Sequence, residues 1–160
     1  MKWFVKCFRN YVTFEGRARR SEFWYFVLFS FLFMLVARIA DMLLFSDVAP
    51  FSMLLWLGML LPYISVSVRR LHDTGRSGKL LLAYFCYSFV FSIVLMYMGL
   101  QSVAELMSGA DIQFSTAQWV VLGAGALINL VWGLFFLVWY CLPGTRGENA
   151  YGPDPKQDEA

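Results

Sequence analysis

The sequence predicts an all-α, polytopic membrane protein: four transmembrane helices preceded by an N-terminal amphipathic interfacial helix. Three observations carry that expectation. Of the 160 residues, 59% are hydrophobic and only 15% charged, and the mean hydropathy is +0.59; soluble domains run nearer roughly 45–50% apolar and about 25% charged. Four apolar runs, 23–45, 51–68, 80–100 and 119–142, match the length needed to cross a hydrocarbon core of about 30 Å at about 1.5 Å per residue. The cations are also sorted. Of 13 Lys/Arg, six precede the first run (Lys2, Lys6, Arg9, Arg17, Arg19, Arg20), four lie between the second and third (Arg69, Arg70, Arg76, Lys79), and Arg146 and Lys156 follow the fourth. The two alternate connections hold none. Excess Lys/Arg marks cytoplasmic loops, so a multi-pass chain with both N- and C-termini cytoplasmic is expected.

Residues 2–12 fit an amphipathic helix, with Trp3, Phe4, Cys7, Phe8 and Tyr11 on one face and Lys2, Lys6, Arg9 and Asn10 on the other. It should lie in the headgroup plane with its cations on anionic phosphates; the alternative is packing on the protein's own helices. Gly16 permits a change of direction, and the first span starts either with Ser21 as its N-cap or near Arg17. That span carries Arg38 and Asp41, three residues apart on one face. An outward-snorkelling ion pair is the expected role, with an intramembrane proton or ion site as the sharper alternative. Ser46 to Pro50 is a short outer turn whose charge is Asp47. In the second span Pro62 leaves the Gly58 carbonyl without its helical partner, and Ser65 and Ser67 offer hydroxyls nearby.

The third span is expected to end at Leu100. Ser102 with Glu105 then fits a capping box for a separate short surface helix, broken after Met107 by Ser108-Gly109. In the fourth span Gly125, Asn129 and Gly133 form a small and polar stripe for close helix packing, with Asn129 bonding to a neighbouring helix. Residues 143–155 are dense in turn formers, and 156–160 read as a disordered tail beyond a single domain over 1–155. No cleavable signal peptide is expected. Cys7, Cys86 and Cys141 read as reduced thiols, and no metal-ligand spacing or cofactor motif is present.

The polar segments 15–22, 69–79 and 143–155 all fall on the cytoplasmic side. They gather Arg17, Arg20, Glu22, Arg69, Arg70, His72, Asp73, Arg76, Glu148, Asn149 and Asp154. Arginine matches phosphate geometry, and Gly75, Ser77 and Gly78 would present backbone N–H groups where the third span begins. His72 beside Asp73 would supply an acid or base. Against this stands a network of ion pairs and caps that seals the helix ends. There is no nucleophile elbow, P-loop or HExxH, so no catalytic residue is assigned; a lipid-modifying enzyme and a small transporter or channel are the alternatives. The expected partners are the lipid bilayer and anionic phospholipid headgroups, with a membrane protein partner or a homo-oligomer as further readings. Nothing points to nucleic acid.

Three blocks resemble the domain of unknown function 805 family, the YhaH-like small bacterial inner-membrane proteins. They are Phe14-Glu15-Gly16-Arg17-Ala18-Arg19-Arg20-Ser21-Glu22-Phe23-Trp24, then Arg69-Arg70-Leu71-His72-Asp73-Thr74-Gly75-Arg76-Ser77-Gly78, then Gly144-Thr145-Arg146-Gly147-Glu148-Asn149 with Tyr151-Gly152-Pro153-Asp154-Pro155. They occur in the family's order across residues 14–155. The resemblance implies a four-helix protein of the bacterial inner membrane and carries over no settled activity.

Overall fold

The computed structural model describes residues 2–45 and 48–157. The expected outer-turn charge Asp47 and residues 158–160 of the expected disordered tail lie outside the described residues. Among the described residues the structure is all helical: α1 (Lys2–Arg9), α2 (Arg20–Leu44), α3 (Pro50–Asp73), α4 (Lys79–Met107) and α5 (Thr116–Cys141). The last four are each long and apolar enough to cross a membrane. The polytopic membrane fold expected from hydropathy is therefore the fold observed.

Helix boundaries depart from the apolar runs. Helix α3 continues past Val68 to Asp73, because Arg69 to Asp73 contains no helix breaker. It stops in a Schellman turn: Gly75, at φ +76°, donates its N–H to the His72 carbonyl (3.0 Å), and Arg76 donates to the Leu71 carbonyl (2.9 Å). The Gly75 N–H therefore closes α3 and is not offered to a phosphate. Helix α4 runs unbroken to Met107, and Ser102 donates its hydroxyl to the Met98 carbonyl one turn back (3.2 Å). The expected separate surface helix is instead the end of α4. A capping box does occur at the start of α5, where the Ser115 N–H donates to Gln118 Oε1 (2.7 Å) and the Gln118 N–H to Ser115 Oγ (3.3 Å). Arg19, not Ser21, is the N-cap of α2, and its side chain makes no capping bond.

The chain forms two compact units: Met1–Gly78 with Trp139–Ala160 in their described parts, and Lys79–Val138. In the first, α1 lays its apolar face on α2. The Phe4 ring sits 5.6 Å from Phe26, 5.6 Å from Phe29 and 5.5 Å from Phe33. Packing on the protein's own helices, the alternative reading of this segment, is what the structure contains. Tyr11 donates its hydroxyl to the Gly58 carbonyl (2.9 Å), the acceptor that Pro62 leaves free. Ser65 turns the other way, onto the carbonyls of Asn10 (2.9 Å) and Thr13 (2.6 Å). At the far end of α2, buried Asp41 accepts from the N–H groups of Phe51 (2.9 Å) and Ser52 (2.8 Å) and from the Ser52 hydroxyl (2.6 Å). Its carboxylate thus caps α3, complementing that helix's positive end, while Arg38 is exposed.

In the second unit a neutral network joins α4 to α5. Asn129 accepts from the Tyr84 hydroxyl (3.3 Å) and donates to Tyr87 (3.3 Å) and to its own helix at the Gly125 carbonyl (2.9 Å). The Phe91 ring occupies the space where a side chain at Gly125 would stand, whereas Gly133 faces open space.

Candidate functional site

The first unit brings the three polar blocks together around the last turn of α3. A helix end leaves carbonyls short of intrahelical donors, and the other two blocks add donors to carbonyls of this turn. The Ala18 N–H bonds the Arg69 carbonyl (3.0 Å), Asn149 Nδ2 the His72 carbonyl (3.0 Å), and the Thr145 N–H the Asp73 carbonyl (2.8 Å). The segment before α2 and the tail after α5 are thereby fastened to one helix end.

Asp73 is the hub of this arrangement. It is buried, and its two oxygens are divided between two buried arginines: Arg17 Nε donates to Oδ1 (3.0 Å) and Arg70 Nη1 to Oδ2. Arg17 spends its remaining donors on tail carbonyls, those of Thr145 (2.5 Å), Gly147 (2.6 Å) and Gly152 (3.3 Å). Arg70 donates to the carbonyls of Tyr140 (3.2 Å) and Leu142 at the end of α5. Gly144 passes so close that a Cβ there would collide with the Asp73 carboxylate. One turn away Arg69 pairs with fully buried Glu22 (2.6 Å), which also takes Lys6 of α1 (3.1 Å). Cys7 is buried on Glu22 with its Sγ 3.9 Å from the backbone oxygen. Burial first, and then the Glu22 charge, push its thiol up to about 12, so it stays protonated and unreactive.

The expected His72–Asp73 acid–base pair does not form, because both Asp73 oxygens are held by guanidinium groups. His72 instead stacks on Tyr151 (centroids 3.9 Å, planes 3° apart), with Nδ1 3.2 Å from the Gly16 carbonyl. Arg76 lies over the Trp139 ring at 4.9 Å and donates to the Thr74 carbonyl (3.3 Å). Asn149 bridges Thr145 and α3. Asp154 accepts from the N–H groups of Lys156 (3.0 Å) and Gly147 (3.2 Å), which, led by Lys156, hold its carboxyl below the usual range. Glu148 is exposed.

Arg20 is placed differently. It is exposed at the start of α2, and its one side-chain hydrogen bond among the described residues is a long one from Nη1 to the Cys141 carbonyl (3.4 Å). With Arg146 and Lys156 it lines a polar cavity of about 280 Å³ that also touches Asp73, Thr145 and Asp154. Arg146 and Lys156 are exposed and make no ion pair among the described residues. Neither stood in the expected cluster; the available signal was that they are the two cations of the tail.

The matching family model, described as "Protein of unknown function (DUF805)", covers residues 11–153. The chain belongs to the DUF805 family. It is 31% identical over 156 residues to the inner membrane protein YhaI of Escherichia coli K12, covering 98% of this chain and 97% of that one. It is 31% identical over 160 residues to the inner membrane protein YhaH of the same strain, at 98% of both chains. The uncharacterized protein YiiR of that strain is 32% identical over 147 residues, 89% of this chain and 85% of its own. No solved structure matches. The DUF805 match takes in all three polar blocks up to Pro153, and so encloses the hub and most of the cavity wall.

Proposed function

We propose that this DUF805 protein is a non-enzymatic module of the bacterial inner membrane that binds an anionic, phosphate-bearing headgroup at its cytoplasmic end. One observation carries the reading: beside a hub whose arginines are held by Asp73 and backbone carbonyls, the exposed cations Arg20, Arg146 and Lys156 line one cavity, against the two carboxylates of Asp73 and Asp154. The hub supplies rigidity and the cavity supplies binding. A guanidinium and two further cations around one opening suit a phosphate, which takes charge-assisted hydrogen bonds from several donors at once. The sorting of Lys/Arg supports the cytoplasmic placement, where anionic lipids also hold cations. The enzyme reading loses the His72–Asp73 pair, since both Asp73 oxygens are taken by guanidinium groups.

Native mass spectrometry of the purified protein with phosphatidylglycerol tests the proposal. An Arg20→Ala, Arg146→Ala double variant should bind the lipid about tenfold more weakly, a loss of about 1.4 kcal/mol. Unchanged binding overturns the headgroup site. Labelling of a Thr74→Cys variant from the periplasmic side overturns the orientation.

A further inference from the structure

Arg20 faces two spaces. Besides the polar cavity it lines a second opening, a groove of about 510 Å³ walled by Ser21, Trp24, Tyr25, Leu28 and Cys141. Among the described residues it is the one common to both walls. Positions 20, 24 and 28 repeat at helical spacing, so the groove runs up one face of α2. From Arg20 to Leu28 it climbs about 12 Å, well into a hydrocarbon core of about 30 Å. Its chemistry changes along the way: a guanidinium at the base, then the amphipathic rings of Trp24 and Tyr25, then Leu28. That order matches the interface of a bilayer leaflet from headgroup to acyl chain. The uncapped N-terminus of α2 adds its positive dipole end at the same base.

From this juxtaposition we infer that the ligand is a whole amphiphile seated across Arg20, with its phosphate in the polar cavity and an acyl chain in the groove along Trp24, Tyr25 and Leu28. The inference rests on the headgroup reading above and narrows it to an anionic glycerophospholipid, as against a free phosphate. The guanidinium serves both halves of such a molecule. Its donors meet the phosphate, and its methylene stem continues the apolar wall. A water-soluble phosphate ester would fill the cavity and leave the groove unused. Each buried methylene of a chain raises affinity by about fourfold, so the groove dominates discrimination between the two.

The test measures binding of dioleoyl-phosphatidylglycerol, dihexanoyl-phosphatidylglycerol and glycerol 3-phosphate to detergent-purified protein by native mass spectrometry and titration. The long-chain lipid should bind at least tenfold more tightly than the short-chain one. Leu28→Trp, which fills the groove from a lipid-exposed position, should erase that advantage and leave glycerol 3-phosphate affinity unchanged. Leu44→Trp, exposed at the other end of the same helix, should preserve it. Equal binding of both chain lengths, or an advantage that survives Leu28→Trp, overturns the acyl groove while the headgroup site stands. If glycerol 3-phosphate and both lipids fail to bind, or bind an Arg20→Ala variant as well as the parent, the headgroup reading falls and this inference with it.

Discussion

Arginine does opposite work in two neighbouring regions of the first unit. At the hub, Arg17 and Arg70 are buried, and each shares the Asp73 carboxylate and takes backbone carbonyls besides. At the cavity, Arg20 is exposed and holds one long bond to the Cys141 carbonyl. A buried guanidinium without a counter-charge is prohibitively costly, so the hub must be complete before the fold is stable. An exposed one is satisfied by water until a ligand displaces that water. Between Arg17 and Arg70 on one side and Arg20 on the other, burial and the tally of acceptors together therefore separate framework from binding surface.

The sharpest way to break this contrast is Asp73→Ala. It strands two buried cations and frees two chain segments at once. Removing one partner of a buried pair costs about 3–5 kcal/mol, and the variant should lose most of its resistance to thermal unfolding in detergent micelles. If melting barely changes, the hub is not the framework described here. Gly144→Ala should cost less, about 1–3 kcal/mol, the range for overpacking a filled site. Its Cβ pushes the tail off the Asp73 carboxylate while leaving every hub charge in place. The same melting measurement ranks the two, and a Gly144→Ala loss as large as that of Asp73→Ala would mean that tail position, not charge balance, dominates.

How much of this was visible beforehand depends on the kind of signal. The four spans were legible because uncharged runs of this length have few alternatives to a membrane. Their ends were not, since hydropathy reports where lipid stops and not where the helix stops. Arg69 to Asp73 is polar yet helical, and Gln101 to Met107 continues α4 with no Gly or Pro to halt it. Of the two Ser-x-x-Glu/Gln patterns in this stretch, Ser115–Gln118, directly before the apolar residues from Trp119, caps a helix, whereas Ser102–Glu105, expected to open a surface helix of its own, lies inside α4. The gathering of polar blocks at one end followed from charge sorting. Their pairings did not, because Arg17 meets Asp73 across 56 positions and tail carbonyls across about 130. Asp41 capping α3 carried no local mark either: the residue belongs to the preceding helix, 10 and 11 positions from the N–H groups it accepts.

The smallest stability change belongs to Arg20→Ala, and its smallness is what makes it useful. Exposed substitutions away from caps, cores and paired networks leave stability nearly unchanged, and among the described residues Arg20 makes one side-chain hydrogen bond, at 3.4 Å. Its melting temperature should match that of the parent in a detergent free of anionic lipid. Adding phosphatidylglycerol should then separate them, because a ligand that binds only the folded state stabilises it by an amount that grows with the logarithm of its concentration over Kd. The parent should gain more stability than the variant at each lipid concentration, while Arg38→Ala, exposed elsewhere on α2, should gain as the parent does. A variant that already melts early without lipid would place Arg20 in the framework with Arg17 and Arg70. Equal gains in parent and variant would leave the cavity without its principal cation.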